Sequence, residues 1–494
     1  MSSHSKLPET TTEKLDHGSF AQKAHDLLNG TVTDLHLTPE ENRRLVRKID
    51  ICLLPIMACA YLFQFLDKTS LTYASITGIR TDLHLSGLQY SWAGSIYYFG
   101  YLIASYPVSV LFVRFPIAKI IAASLFIWGS ILMLTAACSN PAGLLTCRFF
   151  LGVAEAAIAP GLTTLIAMWY TRDEQPLRQG AWFLGNTTAG FFGGLVGYGV
   201  GHITTIRPWK AIFLVFGACT VTFSLVVWAV LPDSPLNARF LSKEDRAKAI
   251  LRVQDNMTTI KADKWKKEQV IEALCDPTAW LLVLIEMSAC VPNNGLVTFG
   301  SIIIEGFGYS TLKTMLLNMV QSAYQLVFVV ICVVGSTYLP NSRTWFMAGC
   351  MAISVVGSVV VRQVDPANKV ARLNGLGLLV AFSGPFPLVM AMMSSNIGGF
   401  TKKTTVSAMV FMAYCVGNII GPYLFFAREA PAYPSGFLSM IICFCISCLA
   451  CLALRFHLVR QNKIRDQQQA GVTDIDLNLL DQTDKQIPQF RYTY

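Results

Sequence analysis

Long apolar runs separated by short polar turns dominate the chain. We count twelve such runs, in two sets of six. A helix of about 18 to 25 apolar residues crosses a hydrocarbon core about 30 Å thick, and these runs have that length. The pattern predicts an all-α membrane protein of twelve transmembrane helices in two six-helix halves.

The polar segments divide the chain into five parts. We predict a cytoplasmic N-terminal tail over residues 1–48 and a first six-helix half over residues 49–231. A cytoplasmic central loop over residues 232–277 leads to a second six-helix half over residues 278–456, and a cytoplasmic C-terminal tail follows over residues 457–494. The central loop changes sharply in composition, because it is polar and rich in Lys and Arg. We therefore interpret it as the boundary between the halves.

The basic residues indicate an orientation. Lys and Arg concentrate in the tails, the central loop and the turns around Arg114, Arg172, Arg343 and Lys402. Loops rich in Lys and Arg stay on the cytoplasmic side. Residues 1–48 contain no apolar core of a signal peptide, so no cleavage is expected. We expect a multi-pass protein of the plasma membrane, monomeric, with both termini in the cytoplasm.

The composition argues against several functional classes. The chain has 494 residues, of which 53% are hydrophobic and 14% charged, and its mean hydropathy is +0.47. A net charge of +9 does not indicate a nucleic-acid partner here, because the basic residues flank apolar runs. The fourteen cysteines lie mostly inside those runs. We therefore expect no disulfide framework, no metal site and no cofactor.

The fourth apolar run, from Leu144 to Tyr170, contains Arg148 and Glu155. Seven residues make two helical turns, so both charges fall on one face about 10 Å apart. A charge facing lipid costs on the order of 3 kcal/mol, so this face must lie inside the bundle. Two interpretations remain open: an ion pair that locks two helices, or a substrate or proton site.

Other polar residues lie within apolar runs. Asp67 and Lys68 close the first run, where they either line a cavity or mark the helix end. In the seventh run, the segment from Pro292 to Gly295 is expected to interrupt the helix near mid-membrane, as in helices that line a binding cavity. Glu286 precedes it and is interpreted as lining an inner vestibule or bonding a neighbouring helix.

The second half otherwise offers amides. Asn318, Gln321 and Gln325 form one stripe on the eighth helix, which either faces a cavity or joins helices. We predict a charge-handling half that faces a hydrogen-bonding half across a central cavity. The predicted proton-coupling residues are Asp67 and Glu155, and the predicted ligands of an anionic substrate are Lys68, Arg148, Asn294, Gln321, Gln325 and Asn418.

Several motifs resemble a known family. They are Asp67-Lys68-Thr69, the run from Arg148 to Ala156, Met168-Trp169-Tyr170 with Arg172, Leu231 to Pro235, Ser394 to Asn396, Thr401 to Thr404, and Tyr414 to Pro422. From about residue 45 to 460 the chain resembles the anion:cation symporter family of the major facilitator superfamily, in its fungal allantoate permease branch. The turn from Arg114 to Lys119 departs from the superfamily's usual loop, so we expect the inner gate to be held differently.

This resemblance implies twelve helices, alternating access and uptake of small carboxylates such as allantoate, nicotinate, pantothenate, biotin or short peptides, usually with protons. In relatives, residues matching Asp67 and Glu155 are associated with proton coupling. Residues matching Lys68 and Arg148 are associated with the substrate anion. Lys68 stands where many relatives have arginine.

We therefore predict a secondary transporter that imports a small organic anion with protons. One alternative is a proton-driven exporter, but the fifth helix has glycines without the glycine-proline-glycine signature of such antiporters. A non-transporting sensor with the same cavity is a second alternative. An enzyme is not expected, because nearly all seven histidines lie in tails or loops and no nucleophile and base are brought together.

Overall fold

The computed structural model describes residues 38–171, 174–200, 202–203, 205–258, 266–339, 341–468, 483–487 and 490–494. The first half contains six long helices, α1 to α6, of which α4 has two segments. They span Pro39–Ile76, Gly87–Arg114, Ile117–Thr135, Pro141–Glu155 with Ile158–Trp169, Gln175–Val200 and Pro208–Val230.

The second half repeats this count with α7 to α12, of which α10 has two segments joined by a 3-10 turn. They span Pro277–Gly306, Thr311–Tyr338, Arg343–Gln363, Lys369–Leu379 with Pro385–Asn396, Phe400–Ile420 and Pro434–Gln468. Among the described residues, ten helices are long and apolar enough to cross a membrane, and α2 and α5 run beside them over 28 and 26 residues. The predicted all-α fold of twelve helices is confirmed.

Helices pack mainly within their own half. In the first half α1 packs on α5, α2 on α4 and α3 on α6, and in the second α7 packs on α11 and α12. The halves meet where α1 contacts α7, α2 contacts α11 and α5 contacts α8. We call the end of the bundle where α1 begins and α12 ends the terminal side, and the opposite end the far side.

The first helix begins earlier than its apolar run. Thr38 caps α1, and its side chain and that of Glu41 bond each other's backbone in a capping box. The polar first turns are held by the helix Lys243–Thr258, since Lys48 pairs with Asp245 at 2.8 Å and Lys248 with Glu41 at 3.0 Å. Ion pairs therefore extend α1 beyond the part that hydropathy predicts.

The seventh helix is continuous, which corrects the predicted interruption. Pro292 lies inside α7, and the helix runs unbroken through Gly295. A proline removes one backbone hydrogen bond, and neighbouring helices in a bundle compensate for that loss. Gly295 allows close contact with the ring of Phe425, so this segment serves packing between helices.

Polar contacts close the far side between the halves. Hydroxyl groups near the start of α2 donate to carbonyl oxygens of the second half: Tyr90 to Thr298 at 2.6 Å, Ser91 to Pro422 at 3.2 Å and Ser95 to Ile419 at 2.9 Å. On the terminal side, every ion pair among the described residues stays within one half and its adjoining polar segments. Among the described residues, the hydrogen bonds that join the halves thus involve α2, and no ion pair joins them on the terminal side.

The turn between α2 and α3 is fastened to the end of α6. The backbone N–H of Ala118 donates to Asp233 at 3.0 Å, and Lys119 donates to the carbonyl oxygen of Trp228 at 2.6 Å. Burial raises the pKa of Asp233. This short turn is therefore held by the segment that follows α6.

The last residues of the chain dock on the terminal side of the second half. Lys402, at the start of α11, is fully buried and contacts three carboxylates: Asp276 at 2.7 Å, Asp484 at 2.6 Å and Glu272 at 3.0 Å. Burial opposes the charge of Asp276, but the Lys402 ammonium outweighs it and lowers the pKa of Asp276. The predicted hydrophilic tail thus includes a segment that packs against the bundle.

The environment of Lys402 generates a stability prediction. Replacing Lys402 by Met leaves three carboxylates without their cation, and breaking a buried ion pair costs about 3 to 5 kcal/mol. Lys402→Met should therefore lower the midpoint of thermal unfolding in detergent clearly. Lys48→Met is the control, because the Lys48 side chain is 57% exposed and a surface pair contributes at most about 1 kcal/mol. Equal midpoints for both variants would contradict the assignment.

Two glycines bring α2 and α4 into backbone contact. A Cβ at position 152 would overlap the carbonyl oxygen of Tyr97, and a Cβ at position 100 would overlap that of Phe149. Small residues at such positions allow helix backbones to approach closely. Since Gly152 lies between Arg148 and Glu155, this contact positions both charges against α2.

Gly152→Ala should consequently destabilise the protein, because the added methyl group meets rigid backbone. Overpacking lowers the free energy of unfolding by about 1 to 3 kcal/mol, and by more where the surrounding atoms cannot move. Gly199→Ala, on α5, is the matched control, because no atom lies within 4 Å of its added Cβ. It should be neutral or slightly stabilising, since alanine favours helix more than glycine. Thermal unfolding of both variants checks this, and an unaffected Gly152→Ala would refute the contact.

Candidate functional site

A cavity of about 150 Å³ lies between the two halves. We call it the central cavity. Its polar lining comes from both halves and includes Lys68, Asn186, Glu286, Asn318, Gln321 and Gln325. A smaller side cavity adjoins it, shares Lys68 and Tyr98 with it, and is lined by Arg148 and Asn294. The chain therefore brings two basic residues and several amides to two neighbouring spaces inside the bundle, which share lining residues.

Lys68 lines both cavities from α1. Its Nζ lies 5.1 Å from the ring centroid of Tyr97 and 5.9 Å from that of Tyr98. No carboxylate oxygen in the described part of the chain lies within 4 Å of this ammonium, unlike that of Lys402. The aromatic faces attract the cation, but its charge has no ionic partner.

Arg148 is 3% exposed and lines the side cavity. Its guanidinium reaches Ser70 Oγ at 3.5 Å and lies 5.7 Å from the ring centroid of Phe213, while Nε has no hydrogen-bond partner. Over the described residues it forms no ion pair within 4 Å, so the structure shows no ion pair of Arg148 that locks two helices. A second cation thus lies inside the bundle without a counter-ion.

The two acids of the predicted site lie behind the cavity walls. Glu155 Oε2 accepts a hydrogen bond from Tyr97 at 2.6 Å, and its other oxygen has no partner. Asp67 accepts from the indole N–H of Trp128 and from Thr220 at 3.2 Å, and its Oδ1 also has no partner. Neither acid lines the central or the side cavity. Each retains an oxygen that is available to a proton.

Tyr97 connects the cavity cation to the buried acid. Its ring faces Lys68 and its hydroxyl donates to Glu155. No functional role is assigned to the tyrosines of α2 from the sequence. The only available signal was a cluster of aromatic residues, Tyr97 to Tyr101, inside an apolar run. Their partners became visible only when α2 was placed against α1 and α4.

The predicted amides divide into two groups. Gln321 and Gln325 line the central cavity, and Gln321 Nε2 has no hydrogen-bond partner. Asn294 lines the side cavity, but its amide nitrogen donates to the carbonyl oxygens of Gly94 at 3.1 Å and Asn418 at 2.7 Å. The glutamines are therefore free to meet a ligand, whereas Asn294 joins three helices.

Asn418 is placed differently from the prediction. It is fully buried and lines neither cavity. Its Nδ2 donates to Tyr414 at 2.7 Å, and its Oδ1 accepts from Asn293 at 2.9 Å. The first bond lies within α11 and the second joins α7 to α11, so both ends of the amide are engaged, and Asn418 holds the helix crossing in this conformation.

Chemically, the connected cavities are suited to a small anion. Two cations without counter-ions supply charge, and cavity-facing amides supply donors and acceptors for orientation. No group of metal-ligating side chains was found among the residues that the structure describes. The size of the central cavity matches a small metabolite.

Comparison with known proteins agrees with this architecture. A sequence model of the Major Facilitator Superfamily matches residues 57–422. An uncharacterised transporter of Schizosaccharomyces pombe is 36% identical over 93% of this chain and 88% of its own. Allantoate permease of Saccharomyces cerevisiae is 33% identical, again over 93% of this chain and 88% of its own. A thiamine pathway transporter of the same yeast is 31% identical over 97% and 92% of the two chains.

Solved structures share the fold. A bacterial homologue of the human lysosomal transporter Spinster, inward-facing and unoccupied, matches with a TM-score of 0.61 at 17% identity, over 82% of this chain and 96% of its own. The xylose transporter XylE of E. coli, in a partially occluded inward-open conformation, matches with a TM-score of 0.60 at 15% identity, over 81% and 97%. The chain thus belongs to the Major Facilitator Superfamily of membrane transporters, among relatives that include allantoate permease.

Proposed function

We propose that this transporter imports a small organic anion, a carboxylate, together with protons. The observation that carries the proposal is the pair of cations, Lys68 and Arg148, which both line the side cavity and form no ion pair with the described residues. The similarity to allantoate permease supports a small organic substrate. We propose further that the protein acts as a monomer in the plasma membrane with both termini in the cytoplasm.

The chemistry of the two cations favours a carboxylate. A charge inside the membrane is costly unless a partner compensates for it. Arg148 offers two parallel N–H groups, whose geometry matches a carboxylate, while Lys68 offers a mobile point charge. Gln321 and Gln325 line the same central cavity and would orient the rest of the molecule. A bound anion therefore satisfies charges that the protein alone leaves unsatisfied.

Proton coupling follows from the position of Glu155. It attracts both Lys68 and Arg148, and Tyr97 and Gln64 face it as neutral groups. When Glu155 is ionised, it competes with a substrate anion for the field of Lys68. Protonation removes that competition, so a proton and an anion each favour binding of the other. Asp67, which also interacts with Arg148 and Glu155, is proposed as a second proton carrier.

The closed far side defines the conformational step. Opening it breaks the three hydrogen bonds that α2 donates to the second half and the one that it accepts from Asn294, at a cost of about 1 kcal/mol each. Substrate binding that favours the open state would have to offset this total of about 4 kcal/mol. In the proposed orientation the far side faces outward, so import requires this side to open, accept the anion and close.

Uptake of labelled carboxylates tests the proposal. Cells that express the protein are given allantoate, nicotinate, pantothenate, biotin and a dipeptide at acidic and neutral outside pH. We expect accumulation of at least one compound, faster at acidic pH. Arg148→Ala should reduce its uptake at least tenfold, because the carboxylate loses its bidentate partner, while Arg148→Lys should keep part of it. Outward movement alone would favour an exporter, and absence of any pH-dependent accumulation would refute symport.

Glu155→Gln tests the proton path separately. The amide mimics a permanently protonated acid, so the variant should lose pH-driven accumulation and retain exchange of internal for external substrate. Glu268→Gln, on an exposed surface helix, is the matched control and should behave as the parent. Accumulation and exchange are both measured in reconstituted vesicles. A Glu155→Gln variant that still accumulates substrate against a gradient would remove Glu155 from the proton path.

A further inference from the structure

We propose that Glu286 is a second recognition point, which binds a nitrogen N–H donor group of the same substrate whose carboxylate meets Lys68 and Arg148. The donor group is an ammonium, a guanidinium or a urea. This inference rests on the proposed function and narrows its substrate class from small carboxylates in general to carboxylates with a nitrogen donor at their other end.

The first observation is the isolation of the Glu286 carboxylate. It is 2% exposed, lies on α7 and lines the central cavity. Its one hydrogen bond within the described residues comes from the thiol of Cys290, at 3.4 Å, and a thiol is a weak donor. No basic side chain among the described residues lies within 4 Å of it. A buried carboxylate requires hydrogen-bond donors. Because Glu286 lines the central cavity, a ligand bound in that cavity would supply them.

The second observation is that Glu286 and Lys68 line one cavity from different halves without pairing. Lys68 is on α1 of the first half and Glu286 on α7 of the second. Tyr61, Tyr98 and Tyr414 contribute aromatic surface to the wall of the same cavity. A cavity with one positive and one negative wall is complementary to a molecule with one negative and one donor end.

Geometry and chemistry define the donor class. An ionised carboxylate accepts two parallel N–H bonds from a planar guanidinium, and a urea presents the same pair of N–H groups without charge. An ammonium provides point charge and up to three donors. A hydrocarbon end offers nothing to Glu286 and would leave the acid desolvated without compensation. Substrates with a plain alkyl end should therefore bind more weakly than nitrogen-bearing ones.

This arrangement also links recognition to closure. A molecule that contacts Lys68 and Glu286 together bridges the two halves, so its binding favours the conformation in which both residues face one closed cavity. A molecule that contacts only Lys68 binds one half and does not favour closure in this way. Glu286 would accordingly select a substrate by its length as well as by its donor group.

Binding of matched probes to the purified protein in lipid nanodiscs tests the inference. The probes are pentanoate, 5-aminopentanoate and 5-ureidopentanoate, which share a carboxylate and a chain and differ at the other end. Calorimetry should show that the parent binds the two nitrogen-bearing probes at least tenfold more tightly than pentanoate. Glu286→Gln should reduce that preference to within twofold.

Further variants separate the possible outcomes. Glu305→Gln, a control on the same helix outside both cavities, should keep the preference. Glu286→Asp retains the charge and should keep a reduced preference, which covers the case that Glu286→Gln does not fold. Arg148→Ala should lower the affinity for all three probes by a similar factor, because it removes a contact with the carboxylate that they share.

An undiminished preference in Glu286→Gln, or no preference in the parent, would overturn the inference while leaving carboxylate transport intact. Loss of the pH dependence of pentanoate binding in Glu286→Gln would assign the residue to proton transfer and would also overturn it. Failure of every probe to bind the parent would overturn the inference together with the proposed function. If the affinity of all three probes were unchanged in Arg148→Ala while Glu286→Gln still abolished the preference, the carboxylate contact with Arg148 in the proposed function would be wrong, and the role of Glu286 as a nitrogen-donor site would remain.

Discussion

The structure depends on two positive charges that the protein buries without a direct ion pair. Lys68 and Arg148 lie among aromatic rings and a hydroxyl, and no carboxylate of the described chain lies within 4 Å of either, while Glu155 attracts both from farther away. A cation–π contact contributes up to about 2 kcal/mol when it is desolvated, which falls short of the cost of on the order of 3 kcal/mol or more for a charge in the membrane. An anion that contacts both cations would therefore stabilise charges that the fold compensates only in part.

Lys402 is a buried cation whose charge the protein itself compensates. Lys402 is as deeply buried as any charged residue of the chain, but three carboxylates surround it within 3.0 Å. Its charge is satisfied by the protein, and its contacts tie the end of the chain to α11. The contrast separates a structural cation from a ligand-binding one by a single criterion, the presence of a counter-ion supplied by the fold.

Much of the fold could be predicted from the sequence, because membrane crossing is a local property. Runs of apolar residues determine twelve helices, and the cost of charge in lipid requires Arg148 and Glu155 to face the interior. These conclusions need only hydropathy and helical periodicity, and both are properties of residues that are close together in the sequence. In the structure Lys68 and Arg148 both line the side cavity, while their role in substrate binding stays a prediction.

The remaining features depend on which helices meet, and no local pattern records that. Asn418 lines neither of the two cavities because Asn293 and Tyr414 engage its amide, and α7 remains helical through Pro292. The link from Lys68 through Tyr97 to Glu155 requires α2 to touch both α1 and α4. The docked C-terminal segment was missed for the same reason, although its aromatic residues, Phe490, Tyr492 and Tyr494, stand out in a hydrophilic tail.

The most direct test of the central claim is an experimental structure with a transported anion bound. The account predicts that the carboxylate of that anion lies within 4 Å of Lys68 Nζ or of the Arg148 guanidinium, inside the cavities between the halves. Density for the anion at another place in the bundle, with both cations still unpaired, would contradict the account.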